Sequence, residues 1–218
     1  MSIASWFLDL LFPPRCTVCS KLLKQEELDF CQTCRAKMPV LDAPIKRGEF
    51  FAQCYCVTDY VGEVAASIKR YKFQGMQQYA EAYGRLLAMQ LLRMRAEFDV
   101  LSWVPISKKR LRKRGFDQSY LLAMTVAREL GFSCVRTLEK VRDNPAQSSL
   151  KGAENRRANV INAYRAVAPE HLINRRVLLI DDILTTGATL SECSRVLLTA
   201  GAESVICATV AATQLSNN

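Results

Sequence analysis

The pattern of apolar and polar positions divides the chain into two unlike parts. From about residue 50, short apolar runs alternate with longer amphipathic ones. A strand-like "YCVTDYV" precedes the helix-like "GEVAASIKRYKF". Residues 76–98 then carry Tyr79, Tyr83, Leu86, Leu87, Met94 and Phe98 mostly three or four positions apart, which is the spacing of one buried helix face. "VLSWVPI" predicts a strand, residues 116–130 a helix, "VRDNPAQSSLKGAENRR" a polar loop leading to a short extended stretch, "RVLLI" a strand, residues 189–200 a helix, and "SVICATVAA" a last strand. Strands alternating with helices predict an α/β fold, a doubly wound parallel sheet covered on both faces.

The first fifty residues lack this alternation and carry cysteines in its place. "CTVCSKLLKQEELDFCQTC" holds two CxxC pairs with eleven residues between Cys19 and Cys31. Each CxxC turn can aim two thiolates at one point, so Cys16, Cys19, Cys31 and Cys34 are expected to close a tetrahedral structural zinc site. A redox reading needs CxxC between a strand and a helix, and "PPRC" supplies no such context. The expected organisation is a zinc module over 1–50 and an α/β body over 51–218. The module is too small to stand on its own core, so the metal should supply much of its folding free energy, and metal loss should unfold mainly this part. The apolar opening "MSIASWFLDLLFPP" carries Asp9 and lacks both a basic start and a cleavage site, which favours a short helix packed on the body over a signal peptide.

Composition narrows the class. Among 218 residues, half are hydrophobic and 23% are charged, and no apolar run reaches membrane-spanning length. Nine cysteines, an odd number without an export signal, point to a reducing cytoplasm and to metal binding or burial. Cys54 and Cys56, two apart on a strand, are expected to pack against the zinc module; Cys134, Cys193 and Cys207 read as small core residues. The formal charge of +9 suits a polyanionic partner, nucleic acid or a phosphorylated small molecule.

The densest chemistry lies in "VLLIDDILTTGATL". Ligands of such sheets bind beyond the carboxyl ends of the strands. Asp181 and Asp182 are expected to leave the end of an apolar strand, and Thr185, Thr186, Gly187, Ala188 and Thr189 to turn into the next helix. Helix-start N–H groups, hydroxyls and a glycine together make a phosphate cradle, and neighbouring carboxylates accept hydrogen bonds from a sugar diol, directly or around a metal. The site asks for a sugar phosphate. Helix capping alone accounts for one acid and leaves the second acid and the TTGAT turn without a reason. A Walker loop is excluded, because the turn lacks its second glycine and its lysine.

"LLIDDILTTGATL" resembles the phosphoribosyl pyrophosphate (PRPP) motif of type I phosphoribosyltransferases. With the paired cysteines, "WVPISKKRLRKRGFDQS" and "NPAQSSLKGAENRRANV", the chain resembles the ComF family of competence proteins over nearly its whole length. The resemblance implies that Asp181 and Asp182 hold ribose hydroxyls and that the segment from Thr185 to Thr189 holds the 5-phosphate. It gives the pyrophosphate with magnesium to the loop of Ile106, Ser107 and Lys108. It also implies a cytoplasmic role in natural transformation, handling incoming single-stranded DNA beside uptake machinery at the inner membrane face. An active phosphoribosyltransferase with an unidentified amine or base as acceptor is the alternative, with the loop around Gln147 and Arg156 excluding water. A third reading is a retired enzyme fold that binds PRPP as a signal. Two departures stand out: Asp117 replaces the more usual asparagine of RGFNQ, and another cysteine pair that some relatives carry after the first four is missing, so one zinc is expected.

"KKRLRKR" places six cations in seven residues directly after the expected pyrophosphate loop. Lys109, Arg110, Arg112, Lys113 and Arg114 are therefore assigned to nucleic-acid phosphates, with Arg142, Arg156 and Arg157 as candidates to join them. His171 reads as a solvated loop residue and Trp103 as core.

Overall fold

The computed structural model describes residues 13–45, 48–143 and 160–213. The expected opening helix, and Gln147, Arg156 and Arg157, lie outside the described residues. A short helix α1 (Gln32–Lys37) follows Cys31. The body begins with β1 (Cys54–Asp59), α2 (Gly62–Phe73), α3 (Tyr79–Arg93) and β2 (Val100–Trp103). It continues with α4 (Lys108–Arg114), α5 (Gln118–Leu130), β3 (Leu138–Lys140) and β4 (Tyr164–Ala166), then β5 (Arg176–Leu184), α6 (Ala188–Thr199) and β6 (Ser204–Ala212).

Four strands form a parallel sheet in the order β1-β6-β5-β2, and β3 and β4 form a separate antiparallel pair. Apolar side chains alternate between the faces of the central strands and so build two cores. Leu178 and Ile180 of β5 pack with Ile68 of α2, Leu87 of α3 and Leu122 of α5. Val177 and Leu179 pack on the other face with Leu190, Cys193 and Leu197 of α6 and with Leu138 and Tyr164 of the antiparallel pair. The sheet is covered on both faces, as the α/β pattern predicted.

Three expectations change. The helix expected over 76–98 stops at Arg93. Arg95 adopts a left-handed φ of 51° and the Ala96 amide bonds back to the Leu91 carbonyl, a Schellman-type closure made without the usual glycine. Met94 and Phe98 nevertheless pack against the core, which is why the helical spacing overran the helix. The second change is that β5 runs on to Leu184, so Asp181 and Asp182 lie within the strand rather than beyond its end. Asp181 pairs in register with Thr209, and Ile183 with Ala211; the ladder uses only backbone groups, so acidic side chains do not end it. Third, the Cys54 and Cys56 thiols, 3.7 Å apart, face Thr209 in the second core, while the four paired cysteines join the first. Strand alternation decides this: Tyr55 and Val57, not the cysteines between them, face the paired-cysteine side.

The cysteine-rich segment docks tightly on α2 and α3. Cys16 and Phe30 are buried in the first core, the Ser67 hydroxyl donates to the Thr17 carbonyl, and the Arg85 guanidinium meets Asp29 at 2.9 Å. Its burial is therefore shared with the body. His171 is exposed in a short 3-10 turn, and Trp103 lies against the first core with its ring 4.9 Å from that of Tyr120.

Candidate functional site

The acid pair and the TTGAT turn lie at the carboxyl end of β5, near α2, the end of α4, the start of α5 and the antiparallel pair. Successive strand residues point to opposite faces. Asp182 turns toward α2, where the Lys72 Nζ stands 2.9 Å from its Oδ2. Asp181 accepts a hydrogen bond from the Ser119 hydroxyl at 2.8 Å and one from the Asp182 amide at 2.9 Å. Burial, followed by the charge of Asp182, pushes Asp181 up to about 7, against the opposing pull of Lys72 and Ser119.

Beyond the acids the chain turns at Gly187, whose φ of 78° belongs to the left-handed region. That conformation starts α6, and the Ala188 amide leans on the Thr186 hydroxyl at 3.4 Å. A helix start with its partial positive charge suits a phosphate.

Beyond the end of β2, Ser107 caps α4: its hydroxyl accepts the Arg110 amide at 3.3 Å and donates to Asp143. The Ile106 amide is already committed to the Asp117 carboxylate at 3.1 Å. Asp117 also caps α5 by accepting from the Ser119 and Tyr120 amides, so this acid organises the loop between the two helices. Burial raises its carboxyl above the ordinary value despite these bonds.

The basic run is helix α4, and helical geometry divides it. Residues four apart share a face, so Arg110 and Arg114 go together and Lys109 and Lys113 go together. Arg110 and Arg114 are half-buried, while Lys108, Lys109, Arg112 and Lys113 are exposed. Arg114 donates to Gln118 at 2.8 Å and carries its guanidinium 4.9 Å above the Phe73 ring. Burial lowers its pKa from the usual arginine value, and Asp182 is the largest opposing influence. Arg114 thus belongs as much to the acidic site as to the outer basic surface. Arg142 is exposed on the edge of the antiparallel pair.

The cysteine cluster meets the demands of a metal. The four Sγ atoms of Cys16, Cys19, Cys31 and Cys34 lie within 4.8 Å of one another. Cys19 and Cys31 are 3.7 Å apart at sulfur, and a tetrahedral zinc–thiolate centre with bonds of about 2.3 Å spaces its sulfurs by about 3.8 Å. Among the described residues this is the one group of three or more such ligands.

Comparison with known proteins agrees with this arrangement. The phosphoribosyl transferase domain family matches residues 117–216, and the double zinc ribbon domain family matches residues 7–45. The DNA utilization protein YhgH of Salmonella typhimurium is 30% identical over 200 residues, covering 87% of this chain and 86% of its own. The chain belongs to the ComF/YhgH family. Within it, competence protein F of Haemophilus influenzae is 27% identical over 201 residues, with the same 87% and 86% coverage. The solved glutamine PRPP amidotransferase from B. subtilis aligns over 60% of this chain and 26% of its own, at 23% identity and a TM-score of 0.42. The ribbon match spans only the four paired cysteines, enough for one S4 centre in this member of the family.

Several groups around the acids escaped sequence reasoning. Lys72 lies in an ordinary amphipathic helix, and nothing in "IKRYKFQG" distinguishes it from a surface lysine. Lys140 lies on β3 with its Nζ donating to the Tyr164 hydroxyl at 3.1 Å; burial, then Arg110, lowers its pKa. The antiparallel pair brings both residues over the site from positions 24 apart. Ser119 was readable only once Asp181 had a place.

Proposed function

We propose that the chain acts in DNA uptake or use through two adjoining surfaces, a PRPP site at the end of β5 and a nucleic-acid surface on α4. The carrying observation is the enclosed acid pair, next to a left-handed glycine that starts α6 and faced by Lys72, Arg114 and Lys140. Asp181 and Asp182 would receive the ribose hydroxyls. The segment Thr185, Thr186, Gly187, Ala188 and Thr189 would receive the 5-phosphate, and Ser107 and Lys108 the pyrophosphate. Magnesium, when bound with PRPP, would neutralise pyrophosphate charge and favour its departure. The chain's own part is to hold the diol and to turn the phosphate onto the α6 amides, with burial and the neighbouring Asp182 raising the Asp181 carboxyl above its ordinary value. The paired cysteines would hold a structural zinc.

Lys109, Arg112 and Lys113 face outward and would meet the phosphates of single-stranded DNA in the cytoplasm, beside machinery at the inner membrane face. Arg110 and Arg114 would join them from the site side. Among the described residues no helix is long and apolar enough to cross a membrane.

Thermal unfolding with PRPP and magnesium tests the site. At a hundredfold excess over Kd, wild type should gain about 2.7 kcal/mol. Gly187→Val, whose side chain strains the left-handed turn, should gain nothing. A wild-type protein whose melting is unmoved by millimolar PRPP defeats the reading. Pyrophosphate release with candidate amines or bases then separates binding from transfer.

A further inference from the structure

Three exposed aromatic rings stand on the body among the described residues: Phe73, Tyr120 and Phe132. Two rest on other rings, Tyr120 on Trp103 at 4.9 Å and Phe132 on Phe98 at 4.6 Å. Phe73 rests on a cation. It is 64% exposed at the last residue of α2, and the Arg114 guanidinium of the basic helix lies 4.9 Å from its centroid.

A solitary exposed phenylalanine is ordinary on a protein surface. What sets this one apart is its setting. One neighbour in sequence, Lys72, reaches into the acidic site; its neighbour in space closes a helix of six cations. Arg114 backs the ring and orients it, while most of its area still faces water. Water gains nothing from an apolar ring held open there, whereas the π-face of an unpaired base does, and base–aromatic stacking beside a cationic track is how single strands are held without sequence preference.

We propose that Phe73 is a stacking platform for one unpaired base of single-stranded nucleic acid whose phosphates follow α4, placing that base at the lip of the sugar-phosphate site. This rests on the nucleic-acid reading of α4 but depends on different atoms. The cations contact phosphate and carry the salt dependence; the ring contacts a base and does not.

Anisotropy titrations of the full chain with a labelled 15-nucleotide oligothymidine, and with an abasic oligomer of the same phosphate count, test it. Phe73→Ala should bind the oligothymidine about tenfold more weakly with an unchanged salt slope, and should bind the abasic strand like wild type. Phe73→Trp should retain affinity and show fluorescence quenching on binding beyond that of wild type. Equal binding of oligothymidine by wild type and Phe73→Ala overturns the proposal. So does an equal loss on the abasic strand, which would assign the ring only to holding Arg114. If wild type binds both strands alike with a steep salt slope, stacking falls and the phosphate reading of α4 stands; if wild type binds neither, both fall.

Discussion

The Lys72 ammonium lies 2.9 Å from the buried carboxylate of Asp182, joining the end of α2 to the carboxyl end of β5. This ion pair holds the second acid of the motif in place, and a sugar diol or a cation must share or displace that contact to reach it. Breaking a largely buried pair by removing one partner leaves a desolvated charge. Lys72→Met should therefore lower stability in urea unfolding by about 3 kcal/mol. Lys72→Met with Asp182→Asn should cost less than the two single changes added together. Strict additivity would mean that the pair is not coupled.

Asp181 makes stability depend on pH. Its folded pKa of about 7 stands above the unfolded carboxyl value near 3.9, so the folded state holds more protons between those values. Its contribution to stability is full below about pH 4 and is lost as pH rises through about 7. In Asp181→Asn the decline over that window should shrink. An ionised Asp181 accepts from a ribose hydroxyl more strongly than a protonated one, so PRPP binding should tighten from pH 6 to pH 8 in wild type. Calorimetric titration at both pH values checks this; a pH-independent affinity would remove Asp181 from the diol.

Metal content gives a third expectation. Elemental analysis should find one zinc per chain, lost in Cys31→Ser. Because Cys16 and Phe30 are buried in the same core as α2 and α3, and Arg85 pairs with Asp29, chelation should lower the melting temperature of the whole body rather than release the first fifty residues alone. A body transition indifferent to chelator would show that this shared burial contributes little.

The two faces of α4 should separate in their effects. Alanine at Lys109, Arg112 and Lys113 removes three outward cations and should flatten the logarithmic salt dependence of single-strand binding by about 2. PRPP binding should change little, since all three are exposed and only Lys109 reaches toward the site, through a 3.8 Å contact with Asp143. Arg114→Ala should weaken PRPP binding as well, through lost charge near Asp182. An unchanged salt slope in the triple variant would make the outer face a solvated surface.

The order of the four sheet strands and of the longer helices, the doubly covered sheet, the clustering of the four cysteines and the threonine–glycine turn beside the acids are legible in the sequence because each rests on spacing within a few residues; helix α4 and strand β3 are too short to leave such a pattern. Periods of two and of three to four report which side of a strand or helix is buried, CxxC aims two thiols at one point, and a glycine before a helix marks a turn. Sequence also placed the cations of α4, though not their division, which required knowing that the run is helical. Tertiary structure alone decided what faces the acids. Lys72, Ser119 and Lys140 come from three elements distant along the chain, and the long parallel ladder with β6 keeps Asp181 and Asp182 inside a strand that runs on past the apolar stretch. Cys54 and Cys56 went to the far side of the sheet for the same reason: pattern assigns alternate residues to opposite faces, but which face meets which neighbour is set only when the helices pack.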